Sequence, residues 1–404
     1  RDTSNNNRTS IGGIIGYVNA SCKVDIVNSK NTGNITSTAS DANGVGGIVG
    51  YSNATDSYYV NITGVSSEAT NSGNISGNGS AGGIVGYIKK GSISVCSNTG
   101  KIENTHDLAY GGRDSSSAYK IVQVDGGAPS SEGFDNLRDG NTDTKYCSAK
   151  KNAMSFIIQV SSDVEIVGFS ITNANDTAAN SSRRPGTVKI WGANTNDRTT
   201  NYTDNDNGGS EATSGWASIY NGDGATDATD YKRFVHSFSS AKKYNYYWVY
   251  IAGSGKVQLS EFALITYADN VGGIVGYADG TSTSDNVVVD SATNNGNVIG
   301  ADNVGGIVGG GLYTSITTSA TNSGKITGIS AVGGIAGCAG SRDDSGKGFS
   351  IANAQNSGEI ISSGGEYVGG ISGYSRDTSY SSTISNTGNI SASKTERVGG
   401  VVGY

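Results

Sequence analysis

The chain has 404 residues, a formal net charge of −7 and only two histidines. An acidic chain without long runs of like charge argues against a nucleic-acid or anionic-membrane partner. No stretch approaches the roughly 18 apolar residues that a membrane-spanning helix needs, so no membrane span is predicted. Neutral ligands fit this composition better than charged polymers do.

A glycine doublet followed by short apolar residues recurs eight times along the chain. The doublets begin at Gly12, Gly46, Gly82, Gly272, Gly305, Gly333, Gly369 and Gly399. Successive doublets are 28 to 36 residues apart, except for one step of 190 residues between Gly82 and Gly272. Self-similarity at periods of 20 to 50 residues is typical of stacked repeat architectures. The sequence therefore predicts a repeat array that is interrupted once by a foreign domain.

A second marker, Asn-x-Gly-x-Ile/Val, falls once in each interval. Its asparagines are Asn31, Asn71, Asn98, Asn294, Asn322, Asn356 and Asn386. We expect a tight corner at each marker, because Asn and Gly tolerate positive φ. Ligand recognition by these amides is one interpretation. We favour the other, in which amides at identical positions of stacked coils hydrogen-bond along the stack.

The blocks around the doublets, such as Val45–Tyr51, are too short for helices and rich in β-branched residues, which predicts short strands. Stacked parallel strands would bury their Ile and Val side chains in one interior row. The array contains no proline, so each strand is free to donate hydrogen bonds to its neighbours. The predicted fold class is all-β, with a parallel β-solenoid, a right-handed β-helix, over residues 1–112 and 268–404.

Tyrosine ends most of these blocks. The repeated rings are Tyr17, Tyr51, Tyr87, Tyr277, Tyr374 and Tyr404, whereas Gly310 and Cys338 stand at the same position in two repeats. An aromatic platform for sugars is one interpretation, and packing at strand ends is the one we favour. The blocks resemble the GLUG repeat of bacterial surface proteins. That resemblance implies an extracellular, adhesin-like or spacer role.

Residues 113–267 differ in composition from the repeats. They hold all three tryptophans, both prolines, the one methionine and six of the seven phenylalanines. Strands are predicted over Phe156–Val160, Glu165–Thr172, Thr187–Trp191, Tyr246–Ile251 and Gln258–Ile265. Strands separated by polar loops, with no helix-period segment, predict an inserted antiparallel β-sandwich.

The order of motifs in this insert resembles the discoidin, or coagulation-factor type C, fold and especially the family 32 carbohydrate-binding modules. The stretch Phe134–Tyr146 is similar to the family's Asp-Gly-Asn/Asp-x-x-Thr-x-Trp segment, with tyrosine in place of tryptophan. Arg184–Asn194 is similar to the strand that ends in a Gly/Ser-x-Asn turn. Tyr247–Ile251 and Leu259–Phe262 resemble the aromatic strand and the closing Leu-x-Glu strand. The resemblance implies a jelly-roll sandwich that binds sugars through its loops.

The loop from Leu137 to Thr144 is dense in oxygen donors, which are the ligands that Ca²⁺ prefers. The family resemblance implies a structural calcium ion held by Asp139, Thr144 and Glu261, with Asn141 as a further ligand. An Asx-type turn without a metal is the alternative, because Asp, Asn and Gly are ordinary loop residues.

Sugars present apolar ring faces and rims of hydroxyl groups, so their sites combine an exposed aromatic ring with polar side chains. In this insert the candidates are Asn175, Asp176, Arg183 and Arg184 on one loop, and Trp216 on another. Packing of Trp216 inside the sandwich is the alternative interpretation of that ring.

These features predict a non-catalytic, adhesin-type protein of the bacterial cell surface that displays a carbohydrate-binding module on a β-solenoid stalk. Its expected partner is a glycan or glycoconjugate, or else a protein of a host or neighbouring cell. No enzyme is predicted, because carboxylates change position from repeat to repeat and no hydrolase motif occurs. The alternative is a pure spacer or protein-binding region of a larger surface protein or secreted enzyme, such as a peptidase or glycoside hydrolase.

Overall fold

The computed structural model describes residues 9–37, 42–108, 119–125, 128–129, 131–149, 152–160, 164–196, 209–212, 214–343 and 346–404. Within these ranges the helical segments are two short 3-10 turns, Phe134–Leu137 and Ser181–Arg183, which confirms the all-β class. No helix in the described ranges is long and apolar enough to cross a bilayer.

The strands form two compact units. The repeat unit comprises Arg1–His106 and Tyr267–Tyr404, and the inserted unit comprises Asp107–Thr266. The sequence predicts an insert over 113–267. In the structure the inserted unit begins a few residues earlier, at Asp107, and ends at Thr266.

Four parallel sheets make up the repeat unit. The first contains Thr9–Gly12, Ala42–Gly46, Ser80–Gly82, Val271–Gly272, Asp302–Gly305, Ser330–Gly333, Tyr367–Gly369 and Arg397–Gly399. The second contains Ile15–Val18, Val49–Ser52, Val85–Ile88, Val275–Asp279, Val308–Leu312, Ala336–Ala339 and Ser372–Ser375. The third contains Lys23–Val27, Lys30–Asn31, Tyr59–Thr63, Ala69–Asn71, Gly91–Asn98, Val287–Asn294, Thr314–Ile316, Ala320–Asn322, Phe349–Asn356 and Thr378–Asn386. The fourth contains Ile35–Thr36, Ile75–Gly77, Ile102–Asp107, Val298–Ile299, Ile326–Gly328, Ile360–Ser362 and Ile390–Ala392.

Register in these sheets follows the sequence repeat. Gly46 pairs with Gly82, and Gly82 pairs with Gly272, in parallel. The repeat before the inserted unit is therefore the direct neighbour of the repeat after it. The doublets align from strand to strand along the whole first sheet, as a stacked array requires.

The interior of the repeat unit is built from rows of Ile and Val. One row consists of fully buried isoleucines, one from each of six successive repeats: Ile48, Ile84, Ile274, Ile307, Ile335 and Ile371. A second cluster, which includes Val45, Val271 and Val304, lines the strands of the first and fourth sheets. Burial of a Val or Ile side chain contributes about 1.5–3 kcal/mol, and only neighbouring repeats can cover these rows.

The marker asparagines form a continuous ladder, as predicted. The Nδ2 of each asparagine before Asn386 donates to the Oδ1 of the next asparagine at 2.7–2.8 Å. All seven also donate to a backbone carbonyl two residues on, at 2.8–3.1 Å. The predicted positive φ is wrong, because neither these asparagines nor the glycines of the marker adopt it. Glycine is needed there for space, since a Cβ on Gly73 would lie 2.0 Å from the carbonyl oxygen of Gly33.

The repeated tyrosines form a stacked column. Ring centroids of Tyr17, Tyr51, Tyr87 and Tyr277 lie 5.7, 4.5 and 5.9 Å apart, with interplanar angles of 5°, 7° and 18°. Each inner ring has both faces covered by its neighbours and presents only its edge. This geometry favours the packing interpretation over a sugar platform.

The inserted unit contains two main antiparallel sheets. The five-stranded sheet has the spatial order Lys120–Asp125, Ala153–Gln159, Tyr246–Ala252, Thr187–Ala193 and Ala217–Asp223. Within the unit, the other sheet has the order Arg233–Lys242, Ile166–Thr172 and Glu261–Tyr267. A two-stranded ribbon joins Tyr146–Cys147 to Gln258–Leu259. Phe156 of the larger sheet packs edge-on against Phe262 of the smaller, at 5.2 Å, so both sheets share one core.

Candidate functional site

The metal-loop residues predicted from the sequence lie together. The backbone N–H of Asn141 donates to Asp139 Oδ1 at 2.8 Å, and Thr144 Oγ1 lies 2.6 Å from Asp139 Oδ2. Gly140 has a φ of 72°, so the turn between them requires glycine. Glu261 comes to this loop from the closing strand, and the Asp139 carboxyl group and the backbone of Gly140 and Asn141 are close enough to shift its pKa.

Glu261 is the residue of this loop whose pKa is most strongly shifted. Its Oε1 is buried and has no hydrogen-bond partner among the described residues. Burial, and then the neighbouring carboxyl group of Asp139, raise the pKa of Glu261 to about 8. A bound cation would relieve two neighbouring carboxyl groups of which one oxygen is buried without a described partner.

The donor set of this loop suits a hard cation. The described residues contain no group of three or more His, Cys, Asp and Glu side chains that could hold a metal. The loop instead offers two carboxylates, the Thr144 hydroxyl and the amide and carbonyl oxygens of Asn141. Such an all-oxygen set fits Ca²⁺ and does not fit zinc.

Asp176 is the centre of a polar network beside the metal loop. Its carboxylate lies 2.7 Å from Lys145 Nζ and accepts hydrogen bonds from Gln258 Nε2 at 3.0 Å and from Asn180 Nδ2 at 3.2 Å. The side chain of Lys145 is only 15% exposed. Asp176 therefore fixes the loop from 173 to 184 to the rest of the unit.

The other predicted loop residues differ in how far they are engaged. Asn175 Nδ2 donates to the backbone oxygen of Asp143 at 3.0 Å, and Arg184 donates to the backbone oxygen of Thr226 at 2.7 Å. Arg183 is half-buried. Together with Lys256, its charge lowers the pKa of the Cys147 thiol against the larger effect of burial. Arg183 is thus the most available of the four predicted polar groups.

The structure places Trp216 away from these loop residues. Its side chain is 8% exposed and packs edge-on against Trp248, with centroids 5.3 Å apart at 81°. The buried members of its cluster are Ile157, Ala193 and Trp248, and none belongs to the 173–184 loop. The ring is therefore a packing element on the outer face of the five-stranded sheet.

An aromatic ring that the sequence reasoning missed lies at the loop edge. Tyr231 is 48% exposed, and its hydroxyl donates to Asp143 Oδ1 at 3.1 Å. Because Asn175 binds the backbone of the same Asp143, the ring and the predicted loop meet at one residue. Tyr231 has a φ of 59°, which is an outlier for a bulky side chain. The tertiary structure, rather than local preference, holds the ring in this position.

Comparison with known proteins gives structural neighbours only. No protein-family model matches the chain, and no curated protein matches it. The C-terminal domain of a chitobiase from Bacteroides fragilis matches with 16% identity and a TM-score of 0.27, covering 40% of this chain and 97% of that domain.

Two family 32 carbohydrate-binding modules match in the same way. The module of Clostridium perfringens NanJ, solved with galactose, has 11% identity and a TM-score of 0.24, over 36% of this chain and 91% of that one. The module of Streptococcus pneumoniae EndoD has 8% identity and a TM-score of 0.28, over 39% and 97%. Carbohydrate-binding modules are thus among the structural neighbours of about two fifths of the chain.

Proposed function

We propose that the inserted unit is a carbohydrate-binding module and that the whole chain is a non-catalytic part of an adhesin-type protein at the bacterial cell surface. In this proposal the repeat unit is a right-handed β-solenoid of GLUG-like coils that carries the module. The inserted unit is a discoidin-like jelly roll. The partner is a glycan or glycoconjugate.

The observation that carries the proposal is the exposed ring of Tyr231, whose hydroxyl binds Asp143, the residue that Asn175 also contacts. A sugar ring has apolar C–H faces that pack on an aromatic ring, and hydroxyl groups that need fixed donors and acceptors. Tyr231 supplies the first kind of surface. Asn175 and the carboxylate of Asp143 supply the second, and both belong to loops that other contacts hold in place.

A calcium ion would support this site without touching the sugar. Asp139 and Glu261 would hold it through carboxylates, Thr144 through its hydroxyl and Asn141 through oxygen. The ion would neutralise the paired carboxyl groups and so fix the loop that carries Asp143. Its role in the proposal is structural.

The competing proposal is a pure spacer or protein-binding region of a larger surface protein or secreted enzyme. The observation that favours it is the engagement of the predicted sugar-binding groups. Asp176 and Arg184 are committed to contacts within the chain, and Trp216 is buried. A protein partner would need none of these groups to be free.

A glycan array followed by calorimetry of the best ligand separates the two proposals. We expect at least one neutral or amino sugar to bind in calcium-containing buffer. Tyr231→Ala should weaken binding by about five- to thirtyfold, because stacking on one aromatic ring contributes about 1–2 kcal/mol. Tyr58→Ala is the control, since Tyr58 is 36% exposed in the repeat unit. Absence of any glycan ligand, with protein partners captured instead, would overturn the carbohydrate proposal.

A further inference from the structure

The surroundings of Tyr231 are negatively charged. The carboxylates of Asp143 and Asp230 are close enough to raise the pKa of its hydroxyl, the hydrogen bond to Asp143 being the largest cause. Neither carboxylate forms an ion pair with any described residue. An exposed aromatic face therefore lies beside two carboxylates that have no cationic partner in the part of the chain that the structure describes.

The nearest cation in the sequence does not neutralise this charge. The ammonium group of Lys232 binds the carboxylate of Asp227 and lies over the ring of Phe234, 5.1 Å from its centroid. The ammonium group of Lys232 thus contacts Asp227 and Phe234, and not Asp143 or Asp230. Asp143 and Asp230 are the charged groups that act on the Tyr231 hydroxyl, and carboxylates beside an exposed ring favour a cationic group there.

Free acceptor positions remain on both carboxylates. Asp143 uses Oδ1 for the Tyr231 hydroxyl, and Asp230 uses Oδ1 for the backbone N–H of Ala178 at 2.6 Å. Their Oδ2 atoms form no hydrogen bond with a described residue. A group with several N–H donors and a positive charge can satisfy these oxygens, and a hydroxyl group satisfies only one of them.

We infer that the Tyr231 site binds an amino sugar, a 2-amino-2-deoxy pyranose whose protonated amine is held by Asp143 and Asp230 while its C–H face packs on Tyr231. This inference rests on the proposed carbohydrate-binding function and names its ligand class. An N-acetylated sugar lacks the charge. A uronic or sialic acid carries the opposite charge and is repelled.

The test compares oligomers of glucosamine and of N-acetylglucosamine of equal length, by calorimetry at about pH 5, where the amines of the glucosamine oligomer are protonated. We expect the glucosamine oligomer to bind about three- to tenfold more tightly, with affinity falling as salt is added. Asp143→Asn and Asp230→Asn should each reduce this preference. Both substitutions keep an acceptor oxygen and remove the charge. Asp230→Asn also lies outside the metal loop, so its effect cannot come from loss of the ion.

Asp56→Asn, an exposed carboxylate of the repeat unit, is the control for general attraction between an acidic protein and a cationic oligomer. This variant should prefer the glucosamine oligomer over the N-acetylglucosamine oligomer by the same factor as the unchanged chain. Equal affinity for both oligomers, with Tyr231→Ala still weakening both, would overturn the amino-sugar inference and leave the carbohydrate proposal standing. Failure of every sugar to bind would overturn both.

Discussion

Asn98 and Asn294 are 196 residues apart in the chain, yet Nδ2 of Asn98 donates to Oδ1 of Asn294 at 2.8 Å. The amide ladder of the repeat unit therefore continues without a break across the point at which the inserted unit leaves the array. Both side chains are fully buried. Each amide has a partner above, a partner below and a backbone carbonyl, so the ladder is satisfied along its interior.

Replacement of Asn98 by alanine should destabilise the repeat unit by about 2–3 kcal/mol, because buried amide and carbonyl groups would lose their partners. Denaturant unfolding that is followed by a signal from the repeat unit would measure this loss. Asn295→Ala is the control, because Asn295 is exposed, and its effect should stay within about 0.5 kcal/mol. Equal losses of unfolding free energy for the two substitutions would show that the amide ladder does not stabilise the repeat unit.

Alanine at Gly273 should prevent the repeat unit from folding. A Cβ at this position would lie 2.1 Å from the backbone oxygen of Gly306 and 2.4 Å from Asn294 Cγ. The added carbon would meet backbone and a buried amide, which cannot move aside. We therefore expect the free energy of unfolding to fall by more than about 4 kcal/mol. Thermal melting and soluble yield would measure it. Gly364→Ala should be tolerated, since no atom lies within 4 Å of the added carbon.

The doublet and the marker were both visible in the sequence, and each predicted part of the interior. The sequence does not show that the glycine doublet and the marker asparagine contact each other in the folded chain. The Asn294 side chain occupies the space that Gly273 leaves by lacking a side chain. The expectation of positive φ was wrong because it considered each turn alone, whereas the requirement for glycine comes from the neighbouring coil.

In the inserted unit, the sequence predicted the central strands and the closing edge strand Glu261–Tyr267, and it missed the three other edge strands. Lys120–Asp125, Ala217–Asp223 and Arg233–Lys242 were not predicted, and each lies at the edge of its sheet within the unit. A strand at an edge is covered less completely, so its alternation of apolar and polar residues is weak. Arg233–Lys242 has one buried position in ten.

Calcium and pH should act together on the stability of the inserted unit. The pKa of Glu261 is raised from 4.5 to about 8 in the folded chain, so the folded state holds its proton more tightly than the unfolded state does. Without metal, this group's contribution is most favourable below about pH 4.5 and declines as the pH rises to about 8. Bound calcium should remove the cost of ionising Glu261 in the folded chain. At a free concentration of one hundred times its Kd, it should add about 2.7 kcal/mol to the free energy of unfolding.

Thermal melts with calcium and with a chelator, at about pH 5 and about pH 8, would measure both effects. The calcium-induced rise should be larger at the higher pH, because protons compete with the ion for Glu261. Glu261→Gln should flatten the pH dependence of the metal-free protein and abolish most of the calcium response. A chelator that leaves the melting temperature unchanged at both pH values would contradict the metal proposal.

Trp216→Ala should reduce the stability of the inserted unit by about 3–5 kcal/mol, the usual loss for a buried tryptophan. The edge-on contact with Trp248 and the cover over Ile157 would both be lost. Trp216→Phe should recover part of the loss. Under conditions where the variant remains folded, its glycan affinity should be unchanged. A large loss of affinity at full stability would show that Trp216 belongs to the binding site.

The sequence identified a polar loop for the candidate site but not its aromatic ring. Tyr231 follows Asp-Ala-Thr-Asp, which looks like any solvated turn, and its neighbours in space come from residues about 55 and 90 positions earlier. Trp216 was the more conspicuous residue because tryptophan is rare in this chain. Its burial follows from the row of Ile157, Trp248 and Trp191 across three strands, a pairing that composition alone does not reveal.

The point at which the chain leaves the repeat unit and returns to it is closed by two hydrogen bonds. The backbone N–H of Ala268 donates to the carbonyl oxygen of Asn104 at 2.9 Å, and Asn104 Nδ2 donates to the carbonyl oxygen of Asp269 at 2.7 Å. A segment whose two ends are adjacent can be exchanged for another without changing the coils on either side. The pairing of the repeats at this point therefore does not depend on which segment is inserted there, so the same position could accept a different domain.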